Sequence, residues 1–174
     1  MEYTFTLRYQ LPPDAVVPDA LVERLGEAGC DDAVVGIGQP GRLALEFTRE
    51  AEGAEAAIVR AHEDVRRAVR SARLIEAGPD LVGLTDVARL VGVTRQNMRK
   101  LMLAHGHTFP PAVHTGSVSI WHLADVLEWL QGRGGYAVAA EEIDVARSTQ
   151  QIKIALVMRR LSPTSKRTLS ALVA

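Results

Sequence analysis

GLTDVARLVGVTRQNMRKLM, residues 83–102, is the stretch on which the reading of this chain turns. Thr85 is placed to cap a helix running through Leu90, with Val87, Ala88 and Val91 on its inward side. Gly92 breaks that helix after two turns. Thr94 then caps a second helix, 94–103, in which Met98, Leu101 and Met102 recur at the spacing of one inward face. Arg95, Gln96, Arg99 and Lys100 are left to face outward. A small residue in the first helix, a glycine in the tight turn and a polar, cationic second helix are what close helix crossing and insertion into a DNA major groove require. The pattern predicts a helix-turn-helix.

Downstream, Phe109-Pro110-Pro111-Ala112-Val113 leads into His114-Thr115-Gly116-Ser117-Val118-Ser119-Ile120-Trp121, where Thr115-Gly116-Ser117 can turn a short hairpin. An amphipathic helix follows with Leu123, Val126, Leu127 and Leu130 on one side. Helix, turn, helix, hairpin, helix is the order of a winged helix-turn-helix. Leu84-Thr85, Ala88, Gly92-Val93-Thr94-Arg95 and Met98, then Phe109-Pro110-Pro111, then Trp121, Asp125-Val126 and Trp129-Leu130 carry a resemblance over residues 84–130. On them the segment resembles the MerR-like winged-helix superfamily, in particular its AlpA- and excisionase-type DNA-binding regulators.

The resemblance implies that Thr94, Arg95, Gln96, Asn97 and Arg99, with Lys100 beside them, approach base edges or phosphates. It also implies a wing that touches the DNA backbone, here through His114, Thr115 and Ser117. Related wings usually carry arginines at the tip, and this one has none. The residue types suit the role: Arg95 and Arg99 can donate bidentately to guanine O6 and N7, and Gln96 or Asn97 to adenine N6 and N7. Trp121 and Trp129 read as core anchors rather than as platforms for bases.

Working outward toward the front, Gly78-Pro79 is a breaker, and residues 1–79 read as a unit of their own. Tyr3, Phe5, Leu7 and Tyr9 alternate with polar residues, the period of a half-buried strand. After Pro12-Pro13, Pro18-Asp19 opens a helix carrying Leu21, Leu25 and Ala28, which Gly29 closes. Ala33 to Ile37 and Leu43-Leu45-Phe47 read as strands joined by a turn over Gly38 to Gly41. A longer helix holds Ala54, Ala57, Ile58, Ala61, Val65, Ala68 and Val69 on one face, and a short strand runs from Arg73 to Ala77. The order βαββαβ predicts a ferredoxin-like α+β sandwich. GIGQPG at 36–41 matches a dinucleotide fingerprint in letters, but an alternating run follows where a phosphate-binding helix N-terminus is needed, so it reads as a hairpin turn.

Toward the end of the chain, the glycine-rich 132–135 separates the winged segment, 80–135, from a helical tail, 136–174. Glu141, Glu142 and Asp144 favour the start of a helix 141–161 and Arg159-Arg160 its end. Ile154, Val157, Met158 and Leu161 form an apolar stripe expected to pair two protomers as a homodimer. Ser162-Pro163 opens a short terminal helix with Leu169, Leu172 and Val173 on one side.

Charge is uneven over these segments: net −5 over 1–79, +1 over 80–135 and +3 over 136–174, within a total of −1 for 174 residues. A near-neutral chain does not coat nucleic acid or anionic membrane by bulk charge, so DNA binding must be local. No stretch approaches the apolar length of a membrane helix, and the opening MEYTFTLRYQL lacks the features of a signal peptide. With the single cysteine, Cys30, this points to a cytoplasmic protein. Cys30 reads as a core or edge residue, and His105, His107, His114 and His122 share no ligand-like spacing with acids or thiols, so no metal, cofactor or catalytic site is expected. The expected function is that of a sequence-specific double-stranded DNA-binding transcriptional regulator, dimeric, with an unidentified protein or small molecule at the front sandwich. Two other readings stand beside it: a protein–protein adaptor, and an excisionase-type recombination factor. A hydrolase on the sandwich lacks a paired base and a phosphate-cradling loop.

Overall fold

A computed structural model describes residues 1–12 and 18–172, so Pro13, in the expected break before the first helix, and Val173, in the terminal apolar side, lie outside it. The chain is α+β. Its order is β1 (Glu2–Gln10), α1 (Pro18–Glu27), β2 (Ala33–Gly36), β3 (Arg42–Glu50), α2 (Ala54–Ala68), β4 (Arg73–Gly78), β5 (Leu81–Val82), α3 (Leu84–Leu90), α4 (Arg95–Ala104), β6 (Trp121–His122), α5 (Leu123–Arg133), α6 (Ala140–Met158) and α7 (Pro163–Ser170).

The first four strands form one antiparallel sheet in the order β2-β3-β1-β4. The alternation in β1 places Tyr3, Phe5, Leu7 and Tyr9 inward, and in β3 it places Leu43, Leu45 and Phe47 opposite them, in the register Phe5–Phe47, Leu7–Leu45 and Tyr9–Leu43. The Phe5 and Phe47 rings stack with centroids 5.5 Å apart. Leu21 and Leu25 of α1 and the Ala54–Ala68 stripe of α2 close the same core. Each fully buried Leu or Phe in it contributes about 1.5–3 kcal/mol. Gly29 takes φ +97°, which lets Cys30 N donate to Leu25 O at 2.9 Å and ends α1. Gly36 ends β2 and residues 37–41 form the β2–β3 connection, with β3 rather than a helix after Gly41.

A second core gathers Val87 and Ala88 of α3, Met98 of α4, Phe109, Trp121, and Leu123, Val126, Leu127 and Leu130 of α5. Phe109 meets Trp121 and Trp129 edge-on at 6.0 and 5.1 Å, and Trp121 Nε1 donates to Pro110 O at 3.1 Å. Ahead of the tail, the first core ends at Ala77 and the second begins at Val82.

The tail departs from its sequence reading. Its long helix ends at Met158 rather than 161, and its first half is packed within the chain. Val145 belongs to the first core, while Ile143 and Ala146 belong to the second. Thr149 Oγ1 donates to Pro79 O at 2.6 Å, and the Asp144 carboxylate accepts from Ala54 N, at the start of α2, at 2.9 Å. Asp144 therefore serves the N-terminus of α2 rather than that of its own helix. Ion pairing of Arg147 with Glu128 at 2.5 Å adds a link to α5. The helix is a bracket across both cores.

Candidate nucleic-acid interface

The turn between α3 and α4 is built by backbone chemistry. Gly92 sits at φ +70°, which lets Val93 N donate to Ala88 O at 2.8 Å and Gly92 N to Arg89 O at 3.3 Å, so the last carbonyls of α3 are satisfied within the turn. The helix starts two residues earlier than read from sequence: Gly83 rather than Thr85 is its N-cap, and the Asp86 carboxylate accepts from Gly83 N at 3.1 Å. For α4, Thr94 is the cap, its Oγ1 accepting from Asn97 N at 3.1 Å, and the helix proper covers Arg95–Ala104.

Met98 fixes the azimuth of α4, since it is wholly buried against the second core, with Leu101 and Met102 half-buried beside it. That choice turns Arg95, Gln96, Asn97, Arg99 and Lys100 to solvent. Among the described residues, no side chain hydrogen bonds to Arg95, Gln96, Arg99 or Lys100, and no carboxylate lies within 4.0 Å of the three cations. Arg89 and Arg133 differ, the first lying 4.0 Å from Asp86 and the second stacking over the Trp129 ring.

The expected hairpin is present as a pairing of His114 with Ile120, in which Ile120 N donates to His114 O at 3.0 Å and Val113 N to Ile120 O at 2.8 Å. Thr115, Gly116 and Ser117 are exposed at its tip, and the His114 ring lies so close to Gly116 that a Cβ there would meet Nε2 at 2.8 Å. The base of the hairpin is pinned by β5 pairing with β6 and by His122 Nδ1 against Asp80 Oδ1 at 2.6 Å. Asp80 is buried, and its Oδ2 has no partner among the described residues. Sequence reasoning passed over this pair. Its only signal was a lone acid directly after Gly78-Pro79, matched by a histidine that begins a helix.

The other expected positions are scattered. Ile154, Val157 and Met158, near the end of α6, are 47, 49 and 46 % exposed, and Leu161, past that end, is half-buried. His105 leans on Trp129, and among the described residues no group of three His, Cys, Asp or Glu side chains is arranged to hold a metal. Cys30 is buried, and that burial pushes its thiol up to about 11, leaving it a poor nucleophile. Nearby, Tyr9 OH and His62 Nδ1 are 3.0 Å apart, with burial raising the phenol and lowering the imidazole. Compared with known protein families, characterised proteins and solved structures, the chain matches none.

Proposed function

We propose that the protein is a sequence-specific double-stranded DNA-binding transcriptional regulator, with α4 as the recognition helix of a MerR-like winged helix-turn-helix and a ferredoxin-like sandwich in front of it. The observation that carries this reading is the outer face of α4. Arg95, Gln96, Arg99 and Lys100 project from a helix anchored by the buried Met98, with no internal partner for any of them among the described residues. Three uncompensated cations interleaved with amides match both halves of DNA recognition, phosphate attraction and base-edge hydrogen bonding. The hairpin tip with His114, Thr115 and Ser117 would lie against the adjacent backbone. A single helix of this kind buries too little surface for tight binding, about 600–1,000 Å², so two protomers on an inverted repeat are expected.

Selection of bound fragments from random duplexes by the full chain tests this. Enrichment of a short inverted repeat supports it. Arg95→Ala and Arg99→Ala should then each weaken the best site by about 1–3 kcal/mol and relax preference at one position per half-site, with folding unchanged. If no sequence is enriched, or both variants bind as the parent does, α4 is not a reading head and its face belongs to a protein partner.

A further inference from the structure

A second group of cations lies at the junction of the sheet and the tail, and no function is assigned to it above. Arg73 at the start of β4 and Arg159 and Arg160 at the end of α6 line one cavity of about 230 Å³, with Leu74, Ile75 and Leu156 as its apolar wall. All three guanidiniums are exposed, and none has a carboxylate within 4.0 Å among the described residues. The acid nearest in sequence, Glu76, is taken by Arg8 at 3.1 Å. No carboxylate side chain follows Asp144 in the sequence.

Arginines at the end of a helix complement its dipole, which accounts for Arg159 and Arg160 taken alone. It does not account for Arg73, which tertiary packing delivers from another element into the same cavity against like charge. The strand is also irregular there. Between the pairs Arg8–Glu76 and Tyr9–Leu74 the register shifts, leaving Ile75 as an extra residue of β4. Ile75 walls the arginine cavity and also a second cavity, of about 380 Å³, over the outer side of the sheet beside Gly36, Gly38 and Ala44. The second cavity has room for the body of a small ligand.

We propose that this junction binds a small phosphorylated molecule, its phosphate gripped by Arg73, Arg159 and Arg160 and its body lying over Ile75. Three guanidinium forks suit the charge and the oxygen geometry of a phosphate monoester dianion better than those of a single carboxylate. Arg159 stands about 20 Å along α6 from Ala146, which packs in the second core, so the site is separate from the face of α4. The inference gives the front unit a ligand class and does not rest on the DNA reading.

Titration calorimetry on the full chain with phenyl phosphate and with inorganic phosphate, against sodium chloride at matched ionic strength, tests it. Phenyl phosphate should bind more tightly than inorganic phosphate. Arg73→Gln combined with Arg160→Gln should weaken it by about tenfold or more, and Arg60→Gln, on the exposed side of α2, should leave it unchanged. Absence of binding beyond the chloride control, or equal binding by the double variant, overturns the proposal. A DNA arm separates the other source of phosphate. If the double variant instead loses duplex affinity, with a salt slope smaller by about two, and phenyl phosphate never bound, the arginines serve a DNA backbone and the small-molecule site is refuted. Phenyl phosphate binding in a chain that binds no duplex upholds this site while removing the function proposed above.

Discussion

The two halves of α6 carry similar apolar side chains and have opposite surroundings. In the first, Ile143, Val145 and Ala146 are buried along with Ser148 and Thr149. In the second, Ile154, Val157 and Met158 stand in solvent. Helical periodicity says that a face must be covered and says nothing about what covers it. The first half is covered by both cores of its own chain, while in the second Ile152 packs on the first core, Leu156 is half-buried, and Ile154, Val157 and Met158 are left uncovered. This contrast recasts the tail: its first half is structural, and the proposed pairing of protomers has only the exposed side of its second half, Ile154, Val157 and Met158, to use.

The contrast breaks most visibly if the first half can be altered without harm. Val145→Asp should abolish cooperative folding, because an unpaired carboxylate in the first core costs several kcal/mol of a total stability of about 5–15 kcal/mol. Circular dichroism melting shows this directly, and a native-like transition would place Val145 outside the core. Next in size, a fragment of residues 80–135 should fail to fold while residues 80–174 fold, since only the longer one retains Ile143 and Ala146 against α5. Amide dispersion in proton NMR distinguishes the two.

Smaller is Thr149→Val, which leaves the Pro79 carbonyl without its donor and should lower stability by about 1–2 kcal/mol in urea titration with an unchanged m-value. Smallest in stability, and sharpest for the second half, is Val157→Asp with Met158→Asp. Both side chains are about half exposed, so the melting point of the folded chain should barely move, while light scattering should report a monomer, against the dimer expected of the parent. A parent that is monomeric at tens of micromolar removes the stripe from the dimer interface.

Local signals were the legible ones. The alternation of Tyr3, Phe5, Leu7 and Tyr9, the α2 stripe, Gly92 in its tight turn and Thr94 as a cap each act within a few residues of sequence, and each stands in the structure where its chemistry puts it. The outward face of α4 was legible for the same reason, as the complement of Met98. Bonds that close over long separations left no local trace. Asp144 looked like an acid favouring its own helix and instead serves Ala54, and Thr149 had no visible reason to reach Pro79. Asp80 and His122 likewise find each other only through the pairing of β5 with β6. Even Thr85 illustrates the limit, since a good capping residue was passed over for Gly83, two residues earlier.

The bracket also has a consequence in time. Tyr3 and Phe5 leave the ribosome about 140 residues ahead of Val145, which packs in the same core, and at ordinary elongation rates that gap is on the order of ten seconds. During that interval the nascent core lacks Val145 and Ile152, and the N-terminus of α2 lacks the carboxylate that will satisfy it. The front unit, made well ahead of the tail, is thus completed only with it, and a chain stalled before residue 145 presents an unfinished core to whatever chaperone or protease meets it first.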